Sequence, residues 1–188
     1  VQTDTGYQLV RLNNGICSVR SLADAETFHP VIGPVAEAEA LYVNQLKLRD
    51  RLKNHSGEFV IWDVGLGAAA NALTVLRATR DIACSIRLVS FDHTLEPLEF
   101  ALQNAAALGY LAGYEIQIAG LLRDQRVEFE SGKLKVNWEF HLGDFPALLE
   151  SRAGVSPAQR ARQREQEAAS LSLGAGRRDA CPTLPAPH

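Results

Sequence analysis

No run of about 18 apolar residues occurs anywhere in this chain, so nothing in it reads as a membrane-spanning helix. The first residues (Val1, Gln2, Thr3, Asp4) lack the basic-then-apolar layout of a secretory leader. Cysteine is scarce. Cys17, Cys84 and Cys181 lie far apart, form no Cys-x-x-Cys pair and are odd in number, which argues against a disulfide framework and against structural zinc. The histidines (His29, His55, His93, His141, His188) show no metal-ligand spacing, so no metal is expected. No Ser or Cys stands in a nucleophile-elbow pattern. These absences point to a cytoplasmic protein without a metal centre or a serine or cysteine nucleophile. From about Gly154 onward aromatic residues are also missing and Val or Leu is sparse, so residues 154–188 read as a polar, flexible tail that cannot bury enough surface to offset its ordering entropy.

What is present suffices for one domain: 188 residues with 46% apolar content. The net charge of −3 is uneven. From residue 151 onward six arginines stand against Glu165, Glu167 and Asp179, so the tail carries +3 and the body −6. An acidic body binds nucleic acid poorly unless a local basic patch holds it. One candidate patch exists, Lys47, Arg49, Arg51 and Lys53, which reads more readily as a solvated helix end whose cations the helix dipole favours.

Periodicity divides the chain into 1–57, 58–153 and 154–188. Residues 7–20 read as a hairpin turning at Asn13-Asn14-Gly15, and Pro34 opens a helix over 35–53 with Leu41, Leu48 and Leu52 towards one face. The run FVIWDV at 59–64 predicts a parallel-sheet strand buried on both faces. A helix over 68–80, a strand over 86–91 ending at Asp92, and a helix from about Pro97 to Leu108 follow. Another helix over 113–124 leads to two strands around Ser131-Gly132, the second spanning 135–140. Strand alternating with helix at this spacing defines an α/β fold of Rossmann-like type, with the N-terminal hairpin and helix as an extension. Trp62 and Trp138 are expected in the core.

The chemistry-bearing segment is Asp63-Val64-Gly65-Leu66-Gly67-Ala68-Ala69-Ala70, between strand and helix. Gly65 and Gly67 allow a sharp turn and close approach of a ligand to the backbone, and the helix start offers free N–H groups. Gly65, Gly67 and Ala70 fit the dinucleotide spacing G-x-G-x-x-G/A. Asp92, at the end of the next strand, suits a ribose, or else favours the helix start after it. Gly143-Asp144 ends a later sheet strand, where the carboxylate could accept from an adenine amino group. Asp63 would repel a pyrophosphate yet attract an ammonium group, which favours S-adenosylmethionine over NAD.

The segments His29-Pro30-Val31-Ile32-Gly33-Pro34-Val35-Ala36-Glu37, Ile61 to Gly67, Ser90-Phe91-Asp92 with Glu96-Pro97-Leu98, and His141-Leu142-Gly143-Asp144 occur in an order that resembles a known family. It is the tRNA 5-methylaminomethyl-2-thiouridine methyltransferase family, comprising the MnmC methyltransferase domain and its free-standing MnmD form. The resemblance covers roughly residues 5–150. It implies an S-adenosylmethionine-dependent methyltransferase fold acting on an amine nitrogen of a tRNA wobble uridine. Asp63, Gly65 and Gly67 would hold the methionine end of the cofactor, Asp92 the ribose, and Gly143-Asp144 the adenine. Glu37 would lie near the cofactor, with Glu39 as the alternative. Ala69 departs from the third glycine that many methyltransferases carry. The family is also expected to continue past the Gly-Asp pair into a strand ending in an acid, an aromatic residue and a proline. Nothing after Asp144 matches that segment, so the fold reads as incomplete on its C-terminal side and the catalytic residue stays unassigned. The open sheet edge makes a homodimer a candidate state. The competing functions are a non-catalytic cofactor-binding remnant or interaction module, and an NAD(P)-dependent oxidoreductase.

Overall fold

A computed structural model of the protein describes residues 6–147. The tail expected over 154–188 lies outside the described residues. Strands β1 (Tyr7–Arg11) and β2 (Cys17–Ser21) form an antiparallel hairpin with Leu9 opposite Val19. Its turn uses Gly15 at a φ of 82°, and the Asn14 carboxamide oxygen accepts the Ile16 N–H at 3.1 Å.

The single helix expected over 35–53 is three pieces: α1 (Pro34–Ala38), a wide π-helical stretch (Glu39–Gln45) and α2 (Leu48–Lys53). Lys47 breaks the run, with its backbone in the left-handed region at a φ of 49°. Leu48 and Leu52 are buried as expected, but the π stretch rotates Leu41 outward. Half of the basic patch is engaged within the fold. Arg49 clasps Asp81 through two bonds of 2.9 and 2.7 Å, and the Arg51 guanidinium lies 5.4 Å from the centre of the Phe59 ring.

The chain then builds the sheet: β3 (Glu58–Val64), α3 (Ala70–Thr79), β4 (Ser85–Asp92), α4 (Glu96–Gln103), α5 (Ala105–Leu108), α6 (Glu115–Asp124), β5 (Arg126–Ser131) and β6 (Leu134–Leu142). The strand order is β3-β4-β6-β5; β3, β4 and β6 run parallel, and β5 returns antiparallel against β6. This is an α/β fold of Rossmann-like type. The helix expected from Pro97 to Leu108 breaks at Asn104, whose carboxamide donates to the Phe100 carbonyl at 2.8 Å and competes with the helical backbone.

Alternation along the strands sorts the sheet into two faces. One carries Phe59 and Ile61, then Ile86 and Leu88, then Val136, Trp138 and Phe140. These pack into one hydrophobic core with Leu73, Leu76, Leu98, Ile118 and Leu121 of the helices. Val19, Val43, Leu48 and Leu52 of the N-terminal segments join the same core. Trp138 is fully buried, as expected. Trp62 is not: it sits on the other face and is 56% exposed. The burial of β3 on both faces, expected from its continuous apolar run, is likewise absent among the described residues. Every second residue of β3 is exposed, because β3 ends the sheet and the helices pack on the opposite face.

Candidate functional site

The turn leaving β3 is held by the neighbouring strand. The N–H groups of Gly65 and Leu66 both donate to the Phe91 carbonyl, at 2.8 and 3.2 Å. Gly65 and Gly67 take positive φ angles of 83° and 52°, which glycine adopts without strain. Ala69 also takes a positive φ, 60°, at the position where a third glycine was expected.

Asp92 fastens this loop. Its Oδ2 accepts the Gly67 N–H at 2.8 Å and its Oδ1 accepts the His93 N–H at 2.7 Å. The strand-end carboxylate therefore orders both the glycine turn and the start of the following loop.

A cleft of about 670 Å³ opens above this turn. Its floor is Gly65 to Ala68 with Asp92 and Asn71, and its far wall comes from the N-terminal segments: Arg20, Ala25 to Pro30, and Glu37. Glu37 is oriented by His29, whose Nδ1 lies 2.9 Å from Glu37 Oε1. His29 itself takes a φ of 50°, a conformation that a non-glycine residue adopts only when its surroundings hold it there. Arg20, the one arginine of the lining among the described residues, donates to the Thr27 hydroxyl at 2.9 Å. Carboxylates outnumber guanidinium groups in the lining, with Glu26, Glu37 and Asp92 against Arg20.

Glu37, Gly65, Gly67 and Asp92 thus surround one cleft, whereas Glu39 is exposed and does not line it. Asp63 lies behind the loop, on the core face of β3. It accepts the Ser90 hydroxyl at 2.8 Å, and Ser90 in turn accepts the Trp138 indole N–H at 2.9 Å. Protein atoms enclose Asp63 although part of its surface stays accessible. Desolvation raises its pKa to about 6, opposed by the Ser90 bond and reinforced by the charge of Asp92. Gly143 and Asp144 follow β6 beside Asp92: the Gly143 N–H donates to the Asp92 carbonyl at 2.8 Å, and Asp144 is exposed outside the cleft lining.

The sequence reading missed Arg20, Phe28 and Asn71. Arg20 lies on β2 and Phe28 in the loop that follows, neither within a recognisable pattern. Asn71 had a signal, as a polar residue set among Ala70, Ala72 and Leu73 in the first turn of a helix that follows the glycine loop. Its Oδ1 is buried and has no hydrogen-bond partner among the described residues, an unsatisfied acceptor beside the cleft.

No protein-family model matches the chain, and no curated protein matches it. Among solved structures it is similar to MnmC2 from Aquifex aeolicus, with 18% identity and a TM-score of 0.49 over 76% of this chain and 44% of that one. The chain spans less than half of that structure, and a likeness at this level assigns no function.

Proposed function

We propose that the cleft binds S-adenosylmethionine and that the chain is a methyltransferase-type domain acting on an amine nitrogen of a modified tRNA wobble uridine. The observation that supports this reading is the acidic lining of a glycine-turn cleft. Glu26, Glu37 and Asp92 repel the pyrophosphate of NAD but favour a ligand carrying sulfonium and ammonium charges. The lining fits such a ligand in a second respect, since among the described residues the buried Asn71 Oδ1 lacks a donor that an ammonium group would provide.

In this reading Gly65 and Gly67 let the backbone approach the ligand, and Asp92 offers its remaining lone pairs to the ribose hydroxyls. Asp63 adds negative charge from behind the turn, and Gly143-Asp144 stands on the adenine side. Glu37, steadied by His29, faces the cleft from the N-terminal wall. When bound, S-adenosylmethionine supplies an activated methyl group. The protein's part is to hold the amine in line with that methyl and to keep water out. None of the described residues is assigned as the proton acceptor.

Calorimetry with S-adenosylmethionine, its demethylated product and NAD tests the ligand. The first two are expected to bind more tightly, and tighter binding of NAD would replace this reading with that of an oxidoreductase. Asp92→Asn is expected to weaken S-adenosylmethionine binding by about 1.5 kcal/mol, near the low end for a hydrogen bond to a charged group. An unchanged affinity would reduce Asp92 to a loop-fastening role. Methyl transfer from radiolabelled S-adenosylmethionine to tRNA carrying the unmethylated aminomethyl uridine tests the substrate. Binding without transfer would favour the non-catalytic binding module.

A further inference from the structure

Among the described residues β3 ends the sheet, and its outer backbone edge has no strand partner. Edge strands are ordinarily blunted by lysine, proline or a bulge. β3 has none of these over the seven residues EFVIWDV. Its outward residues Val60, Trp62 and Val64 are 48%, 56% and 55% exposed. A groove runs along this edge, and Tyr42 and Leu46 of the π stretch, both also exposed, form its other wall. Together these five side chains present roughly 500 Å² of apolar surface, at the upper end of what a monomer leaves uncovered.

We propose that a second copy of this chain docks along β3, the two strands pairing antiparallel about a two-fold axis at Ile61 to give one continuous eight-stranded sheet. The area suits this occupant. Two such patches bury on the order of 1,000 Å², the lower bound for a specific interface, and the paired strand backbones add to it.

The charge pattern suits it as well. With the two-fold axis normal to the sheet, directly opposed residues share a face. The register centred on Ile61 is then the only one that overlaps all seven residues. It sets Val60 against Trp62 of the second copy, twice, on the face that carries no core helix among the described residues. It also sets Glu58 against Val64 and Asp63 against Phe59, so that no acid meets an acid. Registers in which Glu58 faces Glu58, or Asp63 faces Asp63, lose most of the overlap. This inference does not depend on what the cleft binds.

Sedimentation velocity on the full chain without ligand is expected to show a dimer across the micromolar range. Trp62→Lys, which places a charge in the centre of the interface, is expected to raise the dissociation constant at least about 100-fold. Circular dichroism would check that this variant is folded. Register is read by oxidation. Chains carrying Val60→Cys mixed with chains carrying Trp62→Cys should form a mixed disulfide, identified by mass spectrometry. Val60→Cys alone should not, because the diagonal pair lies about 7–8 Å apart, beyond disulfide reach. A monomer throughout the range would overturn the proposal, whether or not another segment of the same chain covers the edge. A dimer that Trp62→Lys leaves intact, without the mixed disulfide, would overturn it equally.

Discussion

Asp63→Asn is expected to make the protein more stable at pH 8, by up to about 3 kcal/mol, and to weaken S-adenosylmethionine binding. The first effect follows from linkage. The folded-state pKa of about 6 lies above the ordinary 3.8, so folding favours the protonated acid. This contribution is fully present below pH 3.8 and is lost as the pH rises to about 6. Above that, the buried carboxylate costs the fold about 1.4 kcal/mol for every tenfold weakening of its acidity. Asparagine keeps an acceptor for the Ser90 hydroxyl while removing the charge, although its amide group needs a partner of its own. The gain should therefore lie between about 1 and 3 kcal/mol at pH 8 and fade towards zero near pH 4. Urea unfolding at the two pH values measures it. A difference that does not change with pH would show that Asp63 titrates normally.

The opposite sign in binding separates a residue kept for function from one kept for stability. If the negative charge of Asp63 serves a cationic ligand, Asp63→Asn should lower affinity about 10-fold or more, as expected for a lost charged contact. Higher stability with unchanged affinity would leave Asp63 without a role in the proposed site.

Gly132→Ala is expected to be the most damaging single-methyl change in the described fold, costing about 3–4 kcal/mol. Gly132 makes the β5–β6 turn at a φ of 62°, and an added Cβ would lie 2.3 Å from the Arg80 carbonyl oxygen. That carbonyl also accepts the Lys133 N–H at 2.7 Å, so the turn cannot back away without breaking the bond. Gly113→Ala supplies the control. Its φ is 84°, but nothing lies within 4 Å of an added Cβ, so it should cost only the conformational penalty of about 1 kcal/mol. Equal losses in the two variants, measured by chemical denaturation, would mean that the hairpin yields freely.

The order of strands and helices was legible in the sequence because β3 and β4 are short, mostly apolar runs closed by Gly65 and Asp92, and β6 alternates apolar with polar residues before Gly143-Asp144. The loop at Gly65 and Gly67 and the position of Asp92 were legible for the same reason. The break at Lys47 was not, since lysine gives no local sign of a left-handed backbone. The break at Asn104 depends on one side chain turning back to its own helix. The contact between His29 and Glu37 is set by the packing of the N-terminal segments over the glycine turn, which no spacing rule encodes. Trp62 misled because an apolar run does not say how many neighbours its strand will have. Asp63 was read as a cleft residue, yet strand alternation turns it inward to Ser90 while Gly65 and Gly67 line the cleft.

The pairing pattern also bears on how the chain reaches this state. Lys135 of β6 pairs with Ser85 of β4, and Ser85 with Glu58 of β3, so each parallel contact must close a long loop before it gains anything. The β5–β6 hairpin turns within a few residues and needs no such closure. The hairpin should therefore gain amide protection first and β3 late, in a slow overall reaction governed by sequence separation. Until then the apolar β3 segment stays open to other chains, and refolding yield should fall as protein concentration rises.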